Sequence, residues 1–159
     1  MAESNQPAAR GAVRTAAASS MAVPYFVSAA ALGQAGKPGA NDKLNIVLIG
    51  CGGMGRGNLS NCRHPDVAVV GACDVWKERR EATAAAFPET CKTYSEYREV
   101  LANKDVDGVI IATPPHWHAL IALEAAEGGT DFCVQKPMTL YMDEALAMRR
   151  AAEKHQVIT

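Results

Sequence analysis

The sequence predicts an α/β fold, a doubly wound sheet of parallel strands with helices on both faces. Three observations lead there. Short apolar, β-branched runs recur at 44–49, 67–73 and 108–112, as strands buried on both faces do. Stretches with helical composition lie between them, and strict alternation of the two kinds implies a parallel sheet. The strand runs end on loops of glycine, acid or proline, the end at which such sheets keep their ligand crevice.

Taken in order, Leu44–Ile49 is the first strand, and a glycine cluster leads from it into a helix ending near Cys62. Val67–Cys73 is the second strand and stops at Asp74. Trp76–Ala86 is rich in Ala and charge, hence helical, and Pro88 stops it. Cys91–Tyr94 reads as a short edge strand. Ser95 stands where an N-cap belongs, with Arg98 in the place where a capping box would want Glu, and a helix runs on to about Asn103. Gly108–Ala112 is the third strong strand. His116–Glu127 is helical and Gly128-Gly129 ends it. Phe132–Val134 is another short strand, Leu140–His155 an amphipathic helix, and Val157-Ile158 the opening of a further strand.

Residues 1–40 do not share this pattern. They are rich in Ala, and their charges are Glu3, Arg10, Arg14 and Lys37. Basic residues, an apolar stretch around Met21–Leu32 and the small residues Ala29-Ala30-Ala31 follow one another in the layout of an export signal. Export to the periplasm is therefore one expectation. A disordered leader on a cytoplasmic protein is the alternative. A stable membrane span is not expected, because the run is mostly Ala and Ser and contains Pro24. The organisation read from sequence is thus a leader and linker at 1–40 and one domain at 41–159.

Composition narrows the function. With 159 residues, 48% of them hydrophobic and 21% charged, the chain has the balance of a soluble globular domain rather than a disordered one. A net charge of −1 leaves no basic excess to neutralise phosphates, so nucleic acid is not an expected partner. Five scattered cysteines without a CxxC pair indicate neither a disulfide framework nor a zinc ribbon. His116 and His118 are two apart, which places them on different sides of a helix, and no metal site is expected.

The chemistry lies on three loops. Gly50-Cys51-Gly52-Gly53-Met54-Gly55 is a GxGxxG between a strand and a helix. Gly50 permits the tight turn, Gly52 lets backbone approach a pyrophosphate, and Gly55 lets the helix pack closely on the sheet. The helix N-terminus then offers free N–H groups to phosphate. Asp74, 24 residues after Gly50 at the end of the second strand, is placed to accept from both hydroxyls of an adenosine ribose. Its charge disfavours a 2′-phosphate, so NAD is expected over NADP, with Lys77, Arg79 and Arg80 near enough to soften the preference. The other reading is a glycine turn and a helix-initiating aspartate. Cys51 is read as a small residue that fits the loop, and the alternative is a thiol activated by the helix N-terminus.

The second loop is Ala112-Thr113-Pro114-Pro115-His116-Trp117-His118. Two prolines stiffen it, and Thr113, Pro114 and the histidines His116 and His118 are expected near the nicotinamide end of the cofactor, with one histidine facing the crevice and the other packing at the helix start. The third is Gln135-Lys136-Pro137. A lysine directly after a buried strand is aimed at the crevice, where it can bind a hydroxyl or move a proton. The alternative is a surface lysine in an ordinary turn.

Together and in order, Gly50–Gly55, Asp74, Asp107–Pro114 with His118, and Lys136-Pro137 resemble the N-terminal half of the glucose–fructose oxidoreductase / inositol dehydrogenase family (Gfo/Idh/MocA). The resemblance covers Lys43–Thr159. The leader resembles twin-arginine export signals without the paired arginines. Membership would imply a Rossmann-type domain, NAD or NADP as cofactor, and oxidation or reduction of a hydroxyl or carbonyl on a sugar or cyclitol. It would make Lys136 the active-site lysine of a Glu-Lys-Pro motif, here with Gln135 in the place of Glu. It would also imply a second, substrate-shaping domain, which often mediates assembly into a homo-oligomer and of which almost nothing is present here. The competing expectation is a non-catalytic dinucleotide-binding module, or a remnant truncated before that domain.

Overall fold

The computed structural model describes residues 43–159. The leader and the export reading attached to it lie outside the described residues.

Five parallel strands form one sheet: β1 (Leu44–Ile49), β2 (Val67–Cys73), β3 (Lys92–Tyr94), β4 (Gly108–Ile111) and β5 (Asp131–Val134). Their order is β3-β2-β1-β4-β5. The order reverses between β1 and β4, so consecutive connections leave on opposite faces of the sheet. That switch point is where a crevice opens beyond the carboxyl ends of the strands. The helices are α1 (Gly53–Asn61), α2 (Lys77–Ala84), α3 (Tyr97–Ala102), α4 (His118–Glu127) and α5 (Met142–His155). A single 3-10 turn, Pro115–Trp117, precedes α4.

The two-residue period of a strand decides which helix each side chain meets. Val47, Ile49, Val109 and Ile111 point to one face and pack with Val100, Ile121, Ala122, Ala125 and Met148 of α3, α4 and α5. Leu48 and Ile110 point to the other and pack with Leu59 of α1 and with Val69 and Ala72. The central strands are covered on both sides, hence their unbroken apolar composition.

The structure corrects several expected boundaries. The N-cap of α3 is Glu96, not Ser95: a Glu96 carboxylate oxygen accepts from the Arg98 backbone N–H at 3.1 Å. Helix α5 starts at Met142 rather than Leu140, because Glu144 reaches back to accept from the backbone N–H groups of Leu140 (3.2 Å) and Tyr141 (3.3 Å) and fixes the start there. Residues 157–159 form no strand. Instead Phe132 N donates to Ile158 O at 3.1 Å and Ile158 N donates to an Asp131 carboxylate oxygen at 2.8 Å, so the segment lies beside β5 without a ladder. Among the described residues, no helix is long and apolar enough to cross a membrane.

Candidate cofactor site

The loops after β1, β2, β4 and β5 emerge at one end of the sheet. Gly50 leaves β1 with φ +96°, a conformation open to glycine and strained for other residues. A Cβ there would stand 2.6 Å from the carbonyl carbon and oxygen of Ala112 and 2.7 Å from Thr113 N. The first loop and the loop after β4 therefore touch backbone to backbone. Gly55 is excluded from other identities for a second reason, since its Cβ would run into Gly50 O and approach Ala112 Cβ at 3.1 Å. Gly52 and Gly53 differ: nothing lies within 4 Å of a Cβ on either. The space in front of them is open.

Helix α1 begins in that space. Gly52 is its N-cap and supplies no side chain, and its first turn holds no acidic residue. The N–H groups of the first turn have no partner within the helix and are free to meet an anion. Met54 is half exposed at the same turn.

Asp74 is anchored before any ligand arrives. One carboxylate oxygen accepts from Cys51 N at 2.8 Å and the other from Trp76 N at 2.8 Å. Each oxygen keeps acceptor capacity for a further donor. The three nearby cations are engaged elsewhere. Arg80 donates to the Asp74 backbone carbonyl at 3.0 Å, Lys77 pairs with Glu81 at 3.7 Å, and the Arg79 guanidinium lies 4.4 Å over the Trp76 ring. The exposed Trp76–Arg79 stack beside Asp74 went unread in the sequence. An aromatic residue and an arginine three apart at a helix start were the available signal. It offers a flat surface on which a purine ring could stack.

Cys51 does not present its thiol to the site. It is fully buried, its Sγ lies 3.5 Å from Cys73 O, and burial pushes its pKa up to about 11. Its contribution is the N–H given to Asp74. The activated-thiol alternative therefore does not hold.

In the second loop, Thr113 Oγ1 is buried and has no hydrogen-bond partner among the described residues. Pro114 is exposed, and its carbonyl accepts from Trp117 N at 3.0 Å, which starts the 3-10 turn. His118, expected at the nicotinamide, is instead 1% exposed. Its Nε2 lies 2.7 Å from Thr113 O, and its Nδ1 lies 3.0 Å from Pro137 O and 3.2 Å from Met138 O. It joins two loops from within. His116 remains at the surface.

Lys136 lies two residues beyond β5. The ladder extends as far as Gln135, whose N–H donates to Ile111 O at 2.8 Å. The Gln135 side-chain oxygen turns back and accepts from Lys136 N at 2.6 Å. The Lys136–Pro137 peptide bond is cis, and Lys136 is exposed. Among the described residues its ammonium makes no ion pair. No group of three metal-ligating side chains occurs among them.

These features suit a dinucleotide: a glycine turn whose outer face no Cβ would fill, free helix N–H groups, a fixed carboxylate one strand away, and an unpartnered hydroxyl on the adjoining loop. Residues 44–159 match the oxidoreductase family described as NAD-binding Rossmann fold. The chain belongs to the Gfo/Idh/MocA family. It is 34% identical over 113 residues to an inositol 2-dehydrogenase of Mycolicibacterium smegmatis, covering 69% of this chain and 32% of that protein. It is 32% identical over 124 residues to a glycosyl hydrolase family 109 protein of Shewanella pealeana, covering 72% and 27%. Among solved structures, the WlbA dehydrogenase of Bordetella pertussis in complex with NADH and UDP-GlcNAcA superposes with a TM-score of 0.66 at 26% identity, over 72% of this chain and 35% of that one. The chain thus spans about a third or less of the length of the proteins it matches, and the shared part is the NAD-binding Rossmann domain.

Proposed function

We propose that this chain is the cofactor-binding part of an oxidoreductase that transfers hydride between NAD and a hydroxyl or carbonyl of a sugar- or cyclitol-like small molecule. The observation that carries the reading is the gathering at one sheet end of the open Gly52–Gly53 turn, the anchored Asp74 and the free Lys136. NAD supplies the hydride-accepting ring when bound.

The chain's own residues have separable roles. The backbone of Gly50–Gly55 makes room for the pyrophosphate, and the first turn of α1 donates N–H groups to it. Asp74 accepts from the ribose hydroxyls and, by its charge, disfavours the 2′-phosphate of NADP. Thr113 and Pro114 line the adjoining loop, where the free Thr113 hydroxyl can take a hydrogen bond from the cofactor or give one. Lys136 holds the substrate oxygen and gives or takes its proton as the carbon changes oxidation state. Support for the substrate class comes from the relatives, whose names point to inositol, glycosyl groups and a UDP-sugar acid, all polyhydroxylated rings.

The test is a fluorescence titration with NADH and NADPH of the protein and of Asp74→Ala. The substitution is expected to weaken NADH binding by an order of magnitude and NADPH binding far less. Equal losses for both would remove Asp74 from the ribose.

A further inference from the structure

We propose that His118 is a positioning residue: its buried ring sets where Lys136 stands relative to the cofactor loop. The inference rests on the reading of Lys136 given above and adds how that lysine is held.

Four observations carry it. The ring is 1% exposed, yet it packs between two loops that meet the crevice, not in the middle of the core. All three of its neighbours are backbone carbonyls: Thr113 O on one side at 2.7 Å, and Pro137 O and Met138 O on the other at 3.0 and 3.2 Å; the neutral ring has one N–H and donates to one side, and the protonated ring donates to both. Among the described residues, the polar contacts of 136–138 with any other element are all with this ring, since Lys136 N is taken by neighbouring Gln135. The segment is otherwise open, with Lys136, Pro137 and Met138 all exposed. Among the described residues, the remaining hydrogen bond between the end of the β5 ladder and the Glu144 contacts that begin α5 is local, from Thr139 Oγ1 to Tyr141 O at 2.9 Å. The other tether, Thr113, belongs to the loop whose backbone packs on Gly50. A single ring therefore links the lysine's segment to the loop that borders the phosphate turn. If the link is cut, each loop keeps its own strand, but their spacing is no longer fixed.

The two sides of the ring can be removed one at a time. The amide nitrogen of asparagine falls near the position of Nδ1 and that of glutamine near Nε2. His118→Asn thus keeps a donor toward Pro137 and Met138, and His118→Gln keeps one toward Thr113. His118→Leu keeps neither. The readout is the rate at which Lys136 is acylated by acetic anhydride, followed by peptide mass spectrometry with and without saturating NADH, with exposed Lys104 as internal reference. NADH affinity and thermal midpoint are measured on the same samples.

In the wild-type protein NADH is expected to slow acylation of Lys136 about ten-fold and that of Lys104 not at all. In His118→Leu, NADH affinity is expected to fall by no more than about three-fold, of the order of one lost hydrogen bond, while protection of Lys136 drops below about two-fold. Asparagine is expected to restore more of the protection than glutamine, because its amide NH2 places a donor at the carbonyls of the lysine's own segment. Three results would overturn the proposal. Protection of Lys136 in His118→Leu could match wild type at saturating NADH. Asparagine could restore no more than glutamine. Or all three variants could fail to fold, which would make the ring a fold residue. If instead wild-type Lys136 is unprotected while NADH binds, the reading of Lys136 itself falls, a result distinct from the other three.

Discussion

Two glycines in one turn separate folding from binding, and replacing each by alanine tells them apart. At Gly50 the added methyl meets backbone on the neighbouring loop at 2.6–2.7 Å, where no side-chain rotation can relieve it. The residue must also keep φ +96°. A left-handed backbone costs about 1–2 kcal/mol for an L-residue, and forcing extra volume into packed surroundings roughly 1–3 kcal/mol. Gly50→Ala should therefore lose about 2–5 kcal/mol, a large share of a domain's whole stability. At about 4 °C per kcal/mol for a domain of this size, the midpoint falls by roughly 8–20 °C. Gly52 has φ −70° and no atom within 4 Å of its Cβ position, so Gly52→Ala should melt within about 2 °C of wild type. Its methyl instead fills the space offered to the pyrophosphate, and NADH affinity should drop about ten-fold or more. Circular-dichroism melts and NADH titrations on the two variants check both halves. The reasoning is refuted if Gly50→Ala melts with wild type, or if Gly52→Ala binds NADH unchanged.

Lys136→Met should leave NADH affinity within about two-fold while abolishing turnover in a complete enzyme; a large affinity loss by titration would place the lysine on the cofactor phosphates. Asp74→Asn removes the charge and keeps only one of the two acceptors, so that either Cys51 N or Trp76 N faces an amide NH2; it should narrow the NADH-over-NADPH preference and lower the melting temperature by a few degrees. Burial raises the thiol pKa of Cys51 and Cys91 to about 11 and that of Cys73 to about 12, from 9.0. A raised folded-state pKa contributes stability that is complete below pH 9 and is lost as the pH climbs through 11 to 12. The melting temperature should fall across that alkaline window, and Cys73→Ala should flatten the fall. At pH 8 a thiol of pKa about 11 is roughly one part in a thousand thiolate, so exposed Cys133 should react with iodoacetamide long before Cys51 does.

The sheet was legible because its information is local. Val47–Ile49 and Val109–Ile111 are buried on both faces and read as continuous apolar runs. The glycine turn was legible because spacing alone states what each glycine must permit, and the clash at Gly50 and the open space at Gly52 follow that division. Helix starts were less legible: Ser95 and Glu96 both suit an N-cap, and which one serves depends on where β3 lets go. That one histidine of the pair packs at the helix start was legible, but that it is His118, and what it touches, could not be read. Its partners lie 5, 19 and 20 residues away, on loops brought together only by the β4–β5 pairing. A histidine after a Pro-Pro turn resembles a ligand-facing group until its surroundings are known. The same applies to Cys51, whose place at a helix N-terminus suggests reactivity and whose burial removes it.

The most direct test of the account is a calorimetric titration of this chain with NADH, repeated with NADPH. The account predicts saturable binding of one NADH per chain, tighter than NADPH. No heat of binding for either cofactor, or tighter binding of NADPH, would contradict it.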